Sequence, residues 1–400
     1  MVSQSMEMLG KCRSVIREIF EYGNRRRAEI GAENVYDFSL GNPSVPPPQE
    51  VTDALIAMLT EREPTALHGY TSAAGAVPVR AAVADYITKT FDFAADPNFI
   101  YMTVGAAAAL TVSLKAILAD GADEEVIAFT PFFPEYRVFC EAAGGVLVGV
   151  PCTEPDFQID LAALRTAITE KTKAVIVNSP NNPTGAVLSR ENLMGMVTIL
   201  KQAEATYGHP IYLLSDEPYR ELVYGDVDVP YLPKLYEDTI VSYSFSKSLS
   251  LPGERIGYIF VSPLARDAED VYAAILGAGR ALGFVCAPSL FQHLLPACLG
   301  KTANIDIYKK NRDLLLDALT AYGFTCVPPS GAFYLFVKAP GGDAAAFAEL
   351  AKQHELLLVP SDSFGCPGYV RISYCVATET IEHSLAAFRA LAVQCGLLTD

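Results

Sequence analysis

The sequence predicts an α/β protein in two units: a large one on a mostly parallel seven-stranded sheet covered by helices, and a smaller α+β one. Three observations carry this expectation. Between residues 99 and 260, short apolar strands alternate with helices, the order that builds a parallel sheet. Those strands are apolar almost throughout, as strands buried on both faces are. From about Phe291 the texture changes to helix followed by mixed strands and helices. The expected segments are residues 1–45 (an N-terminal helix and the strand that follows it), 46–290 (the large unit) and 291–400 (the small α+β unit).

The start of the chain has an amphipathic pattern broken by charge, without the cationic start and apolar core of a signal peptide, so it reads as a mature N-terminal helix. Arg25, Arg26 and Arg27 suit its solvated end, where cations complement the helix dipole. Residues 35–40 alternate as a short strand that enters Gly41-Asn42-Pro43 and a proline run at 46–48, a stretch that cannot be helical. Helices follow at 49–61 and 78–90, with the polar loop 68–72 between them.

In the alternating region, strands read at 99–104, 126–129, 146–150, 174–177, 211–214, 239–245 and 256–261. Helices read at 106–118, 134–143, 161–168 and 190–207, the last opened by Ser189 as its N-cap. Gly277, Gly279 and Gly283 lack the spacing and the preceding strand of a dinucleotide loop. Beyond residue 290, helices read at 303–320, 344–354 and 380–395, and strands at 331–337 and 369–374.

Composition narrows the function. The 400 residues are 51% hydrophobic and 19% charged, enough for a large core. A net charge of -16 argues against nucleic acid and anionic membranes as partners. No apolar run approaches membrane-spanning length. The nine cysteines are scattered and odd in number and never form C-x-x-C, which suits reduced thiols in a cytoplasmic protein. The five histidines are equally dispersed, so no metal site is expected.

The chemistry-bearing residues fall just past the carboxyl ends of the strands, the edge at which open α/β sheets bind ligands. Lys247 sits among small hydroxyl residues in a turn that ends at Pro252-Gly253, after a strand that would strip its ammonium of water. Desolvation favours the neutral amine that a carbonyl cofactor needs for a Schiff base. Ser244, Ser246 and Arg255 around it suit an oxyanion, since Arg offers a rigid donor fork. Asp216, after another apolar strand, needs a partner: a cap, a salt bridge, or a protonated heterocyclic nitrogen. Tyr219 lies three residues on, and Glu217 reads as a solvated or structural neighbour. Asn182 stands in a dense turn stretch, 178–185. Gly105, Ala106 and Ala107 open a helix directly after a strand, where free N–H groups attract anions. Arg371 is a lone charge in an apolar strand, either facing solvent or gripping a carboxylate. Tyr70 lies in an exposed polar loop.

Lys247 with Ser244 and Arg255, Asp216 with Tyr219, Asn182 in NNPTG and Arg371 in RISY occur in one order and spacing. Together they resemble the class I pyridoxal-phosphate-dependent aminotransferases of fold type I, the aspartate aminotransferase superfamily, from LGNP to RISY. The fold this resemblance implies builds its small unit from both ends of the chain, residues 1–45 with 291–400. The resemblance implies a Schiff base on Lys247, with Asp216 against the pyridine nitrogen and Tyr219 and Asn182 on the ring oxygen. It implies a phosphate site of Ser244, Ser246, Arg255 and the amides of Gly105, Ala106 and Ala107, and stacking by Phe133. Arg371, with the Gly41 backbone and Asn182 nearby, would take the α-carboxylate of an amino acid or 2-oxo acid. Tyr70 would reach a neighbouring subunit's phosphate, so a homodimer is expected. The implied activity is amino-group transfer from an L-amino acid to a 2-oxo acid in ping-pong fashion. The same frame serves a carbon–sulfur β-lyase. A non-enzymatic cofactor-binding regulatory module is a third reading; it needs a basic DNA-binding unit, for which LGNP near residue 40 leaves no room. This chain departs from some acidic-substrate relatives in having Ala107 where they carry Lys. Arg280 reads as a surface or helix-end residue.

Overall fold

A computed structural model describes residues 2–11, 14–119 and 121–399. The predicted α/β architecture is present. The large sheet has the order Ile100–Thr103, Gly257–Val261, Thr239–Ser244, Tyr212–Asp216, Thr172–Asn178, Glu125–Thr130, Val146–Thr153, Gln158–Ile159. The strands from Thr239–Ser244 to Val146–Thr153 pair in parallel, whereas Gly257–Val261 runs antiparallel to both neighbours. The seven predicted strands are all there. The eighth, Gln158–Ile159, is a two-residue antiparallel edge pairing with Cys152 and Thr153, too short to leave a periodic signal.

Alternate side chains of the central strands enter different cores. Val126, Ala128, Ala174 and Ile176 pack with the helices Ala106–Ile117 and Ala268–Ala281 on one face. Ile127, Phe129, Val175 and Val177 pack with Leu161–Ala167 and Arg190–Tyr207 on the other. Burial on both faces is why the strands lack alternation. The helix Arg190–Tyr207 starts where predicted: the Ser189 hydroxyl accepts from the Asn192 N–H at 3.1 Å. The helix Ala268–Ala281 was not among the predicted elements; the three glycines read near it offered only a rejected loop motif, two of them lying within the helix itself.

The smaller sheet is antiparallel, in the order Cys326–Val327, Tyr334–Lys338, Tyr369–Ser373, Val359–Pro360. It shares a core with helices Asp306–Ala321, Ala344–Lys352 and Thr378–Gln394. The predicted strand at 35–40 shrinks to Tyr36–Asp37, which pairs in parallel with Leu356–Leu357 and so ties the N-terminal segment to this unit.

Two expectations are corrected. The N-terminal region forms two helices, Gln4–Lys11 and Val15–Ile30, the second capped by Ser14. Its Arg run is not simply solvated: Arg26 donates twice to Glu355 Oε1, at 2.6 and 3.0 Å, and Arg27 donates to Asp37 at 2.7 Å, so both cations fasten the helix to the small unit. Of the two readings of Glu217, the structural one holds: it is buried and ion-paired with Arg220 at 2.5 Å. Cys12, one of the nine thiols, lies outside the described residues; the other eight are free. No described helix is long and apolar enough to cross a membrane.

Candidate active site

The carboxyl ends of the central strands and the small sheet enclose a cleft of about 270 Å3. The sheet register brings its floor together. Asn178 and Asp216 are Cα partners on adjacent strands, and Asp216 is in turn paired with Ser242. Asn178 Nδ2 donates to the Asp216 main-chain oxygen at 2.9 Å, while Asn178 Oδ1 accepts from the Asn182 N–H at 2.8 Å. One side chain therefore fixes both the strand end and the loop that carries Asn182.

Lys247 is not on an irregular turn. It lies in a single helical turn, Phe245–Ser248, whose N-cap hydroxyl from Ser244 accepts the Ser246 N–H at 3.2 Å. The short helix aims the lysine across the cleft, where Nζ donates to the Gly41 carbonyl at 2.5 Å. Burial lowers its pKa to about 8, with the nearby Arg255 and Arg371 cations acting in the same direction. The neutral amine is thus accessible near physiological pH.

Asp216 is 5% exposed and burial raises its pKa to about 7. Its Oδ2 accepts from the Tyr136 hydroxyl, while its Oδ1 is buried with no partner. Such an atom calls for a donor, and a protonated ring nitrogen supplies a charged one. Tyr136 was not among the predicted site residues. It sits one helical turn past Phe133, and its ring packs edge-on against Phe133 at 5.8 Å between centroids. Only the three-residue spacing from Phe133 hinted at it.

The anion cradle forms from three segments. Gly105 has φ +87°, and a Cβ there would stand 2.9 Å from Arg255 Nη2, so the close approach requires glycine. The helix Ala106–Ile117 begins immediately after it, presenting free N–H groups and its dipole to the cleft. Ser244 and Ser246 share a hydroxyl hydrogen bond of 2.7 Å, and Arg255 Nη1 lies 3.4 Å from Ser246 Oγ. The donor set fits a phosphate.

Opposite, Arg371 is 2% exposed. It does not face solvent: Nη1 donates to Asn182 Oδ1 at 3.0 Å, Nη2 donates to the Ser39 carbonyl at 2.6 Å, and Nε is buried without a partner. Its guanidinium lies over the Tyr334 ring at 4.6 Å. Tyr334 and Tyr219 join their hydroxyls at 2.9 Å, linking the small sheet to the cleft floor. Tyr334 was missed because GAFYLFV reads simply as a buried strand.

Gly41, Ala106, Ala107, Phe133 and Asn182 line this one cleft, as do Asp216, Tyr219, Ser244, Ser246, Lys247, Arg255 and Arg371. Gly105 abuts it through Arg255. Tyr70 does not reach it; its side chain is fully exposed on the same protomer. The orphaned Asp216 oxygen, the desolvated lysine and the anion cradle together fit pyridoxal phosphate.

Comparison with known proteins agrees with this chemistry. Residues 33–388 match the family of class I and II aminotransferases. A putative aminotransferase of Bacillus subtilis is 32% identical over 94% of this chain and 96% of its own length. An aspartate aminotransferase of Thermotoga maritima is 29% identical over 96% and 95%. An amino transferase from Eubacterium rectale superposes with a TM-score of 0.96 at 51% identity over 98% of each chain. The Thermus thermophilus aspartate aminotransferase with maleate superposes at 0.86 with 28% identity, over 98% of this chain and 100% of its own. This chain therefore belongs to the class I and II aminotransferases of fold type I, pyridoxal-phosphate-dependent enzymes that move amino groups between amino acids and 2-oxo acids.

Proposed function

We propose that Lys247 is the covalent anchor and the proton carrier of the transamination, with Asp216, Tyr219, Asn182 and Arg371 each holding one part of the reacting assembly. The observation that carries this is the buried Lys247 amine facing a cleft that also contains the unpartnered Oδ1 of Asp216 and Nε of Arg371. Bound pyridoxal phosphate supplies a carbonyl that captures amines and a protonated ring that draws electrons from the substrate's α-carbon. Ser244, Ser246, Arg255 and the amides at Gly105, Ala106 and Ala107 would hold its phosphate, and Phe133 would stack on its ring. Asp216 Oδ1 would keep the ring nitrogen protonated, and Tyr219 and Asn182 would grip the ring oxygen.

Arg371 fixes the substrate carboxylate, with the Gly41 backbone closing that end. Lys247 Nζ, as a free base inside the cleft, would take the α-proton of the substrate and later return it as an acid. The cycle would be ping-pong, the first oxo acid leaving the cleft before the second enters, and Arg371 would hold the carboxylate of each in turn.

We assign residues 1–45 and the C-terminal part to the small domain. The helix Ser289–Cys298 contributes Leu294, Leu295 and Cys298 to the core that holds Val51, Val79 and Val83, which supports a boundary after this helix rather than at 290. The full exposure of Tyr70 supports a homodimer in which it reaches across to the other protomer's phosphate cradle. The eight unpaired thiols support a cytoplasmic location.

Mixing the cofactor-loaded enzyme with single amino acids and no oxo acid tests the reading. One equivalent of the matching 2-oxo acid should appear per active site without ammonia, and Lys247→Ala should abolish it. Ammonia and pyruvate from cysteine-like substrates would support elimination instead.

A further inference from the structure

One part of the cleft wall is apolar and takes no part in the α-carbon chemistry proposed above. Its three cations are Lys247, Arg255 and Arg371, and its one carboxylate is Asp216. Each is committed: Lys247 to Gly41 and the cofactor carbonyl, Arg255 to the anion cradle, Arg371 to Asn182, Ser39 and the substrate carboxylate, and Asp216 to Tyr136 and the ring. Apart from the polar tips of Asn178, Asn182, Tyr219, Ser244, Ser246 and Tyr334, the rest of the wall is apolar and comes from separate elements. Ile16 comes from the helix Val15–Ile30, Ala107 and Leu110 from the helix behind the anion cradle, Phe139 from the helix that carries Tyr136, and Leu40 from the segment before Gly41. Among the described residues, no fourth cation faces the cleft.

Resting on the transaminase reading above, we propose that the substrate side chain lies against Ile16, Ala107, Leu110 and Phe139, and that the preferred donors are amino acids with neutral apolar side chains. A second carboxylate placed there would lose its hydration and gain no charged partner from this protomer, a cost that an aliphatic or aromatic side chain does not incur. The apolar side chain instead gains by removing its own surface and that of the wall from water. An ammonium-bearing side chain is disfavoured for the same reason, since Asp216 is already engaged.

The test uses the cofactor-loaded enzyme and two readouts. In the first half-reaction, leucine, methionine and phenylalanine are compared with aspartate and glutamate by kcat/KM for release of the 2-oxo acid. At least one apolar donor should exceed both acidic donors by about 100-fold, the scale of a carboxylate left without a partner. The second readout is calorimetric binding of the unreactive acids 4-methylpentanoate and succinate, which needs no turnover. The monocarboxylate should bind at least about tenfold tighter, and Ala107→Lys should shift the ratio toward succinate by about tenfold, as a new charge pair would. Because each comparison is a ratio within one protein, a partly unfolded variant does not imitate the shift.

A preference for aspartate or succinate would mean that a cation from outside this protomer enters the cleft, and would overturn the proposal while leaving transamination intact. An unmoved ratio in Ala107→Lys would overturn the placement of the side chain beside that residue. Tighter binding of 4-methylpentanoate with no oxo acid from any donor would support the apolar subsite and overturn the transaminase reading instead.

Discussion

Arg371 Nη1 donates to Asn182 Oδ1 across 3.0 Å, joining a strand of the small sheet to the loop that follows a central strand of the large one. The two residues are 189 positions apart, and both are buried. With Nη2 held by Ser39, the fork is oriented before any substrate arrives, and Nε remains unpartnered.

Asn182→Ala should therefore weaken substrate capture more than it alters protein stability. The lost bond is to a charged group, worth about 1.5–3 kcal/mol, so a rise in KM of roughly 10- to 100-fold is expected. Arg371→Lys should be worse, because a point charge replaces a planar fork. Steady-state kinetics on one donor would settle both, and an unchanged KM in Arg371→Lys would remove the α-carboxylate from this site.

Lys247 titrates near pH 8 because burial penalises its charged form. The reactive neutral amine grows as pH rises through about 8 and is saturated above it. Covalent capture of pyridoxal phosphate by the cofactor-free protein should rise accordingly from pH 6.5 to 9 and then level off. Borohydride trapping followed by mass spectrometry would locate the adduct on Lys247. A rate still climbing steeply beyond pH 10 would mean that the lysine is solvated.

Asp216 gives stability a pH dependence of its own. Its folded pKa of about 7 lies above the ordinary 3.8, so between these values the folded state binds the extra proton. The group therefore costs nothing below about pH 4, and its penalty grows as pH rises and is complete above about 7. A cationic ring nitrogen at Oδ1 would remove that penalty. The rise in Tm on cofactor loading should be larger at pH 8 than at pH 5, and Asp216→Asn should flatten the difference. Equal rises at both pH values would argue against an ionised Asp216 partner.

Most of this site could be read from residues at strand ends, because each such residue breaks an apolar run. Lys247, Asp216 and Arg371 stand out as charges where burial is expected, and Asn182 stands in a turn too dense to be incidental. What could not be read was support from within regular elements. Tyr136, Asn178 and Tyr334 act through hydroxyl or amide tips on side chains whose bodies belong to the core, so periodicity reports only the burial. The destinations of Arg26 and Arg27 were hidden for another reason. Glu355 is 329 residues away from Arg26, and a charge run at a helix end has the same pattern whether solvated or paired.

Tyr136 offers a direct measure of that hidden support. Its hydroxyl is the donor to Asp216 Oδ2, and the ring is fully within the core. Tyr136→Phe keeps the ring packing and removes only the oxygen, leaving a second Asp216 oxygen without a donor. An unsatisfied buried acceptor costs about 1–3 kcal/mol, more for a charged group. The cofactor-free variant should be less stable above pH 7, where Asp216 is ionised, and close to wild type below pH 5, where it carries a proton. Urea unfolding at the two pH values would read this contrast, and an equal loss at both would reduce Tyr136 to a packing residue.

Gly105→Ala tests the anion cradle without removing any donor group. The added methyl meets both the +87° φ, which L side chains rarely adopt, and Arg255 Nη2 at 2.9 Å. The guanidinium must shift, carrying it away from Ser246, while the helix Ala106–Ile117 loses the turn that aims its first amides. Backbone strain of this kind costs roughly 1–3 kcal/mol, so cofactor affinity should fall by about tenfold or more. Arg255→Lys should also weaken binding, through the lost fork, but without strain and with an unchanged Tm for the cofactor-free protein. If Gly105→Ala lowered Tm while leaving cofactor affinity intact, the loop would be a structural turn and the phosphate would lie elsewhere.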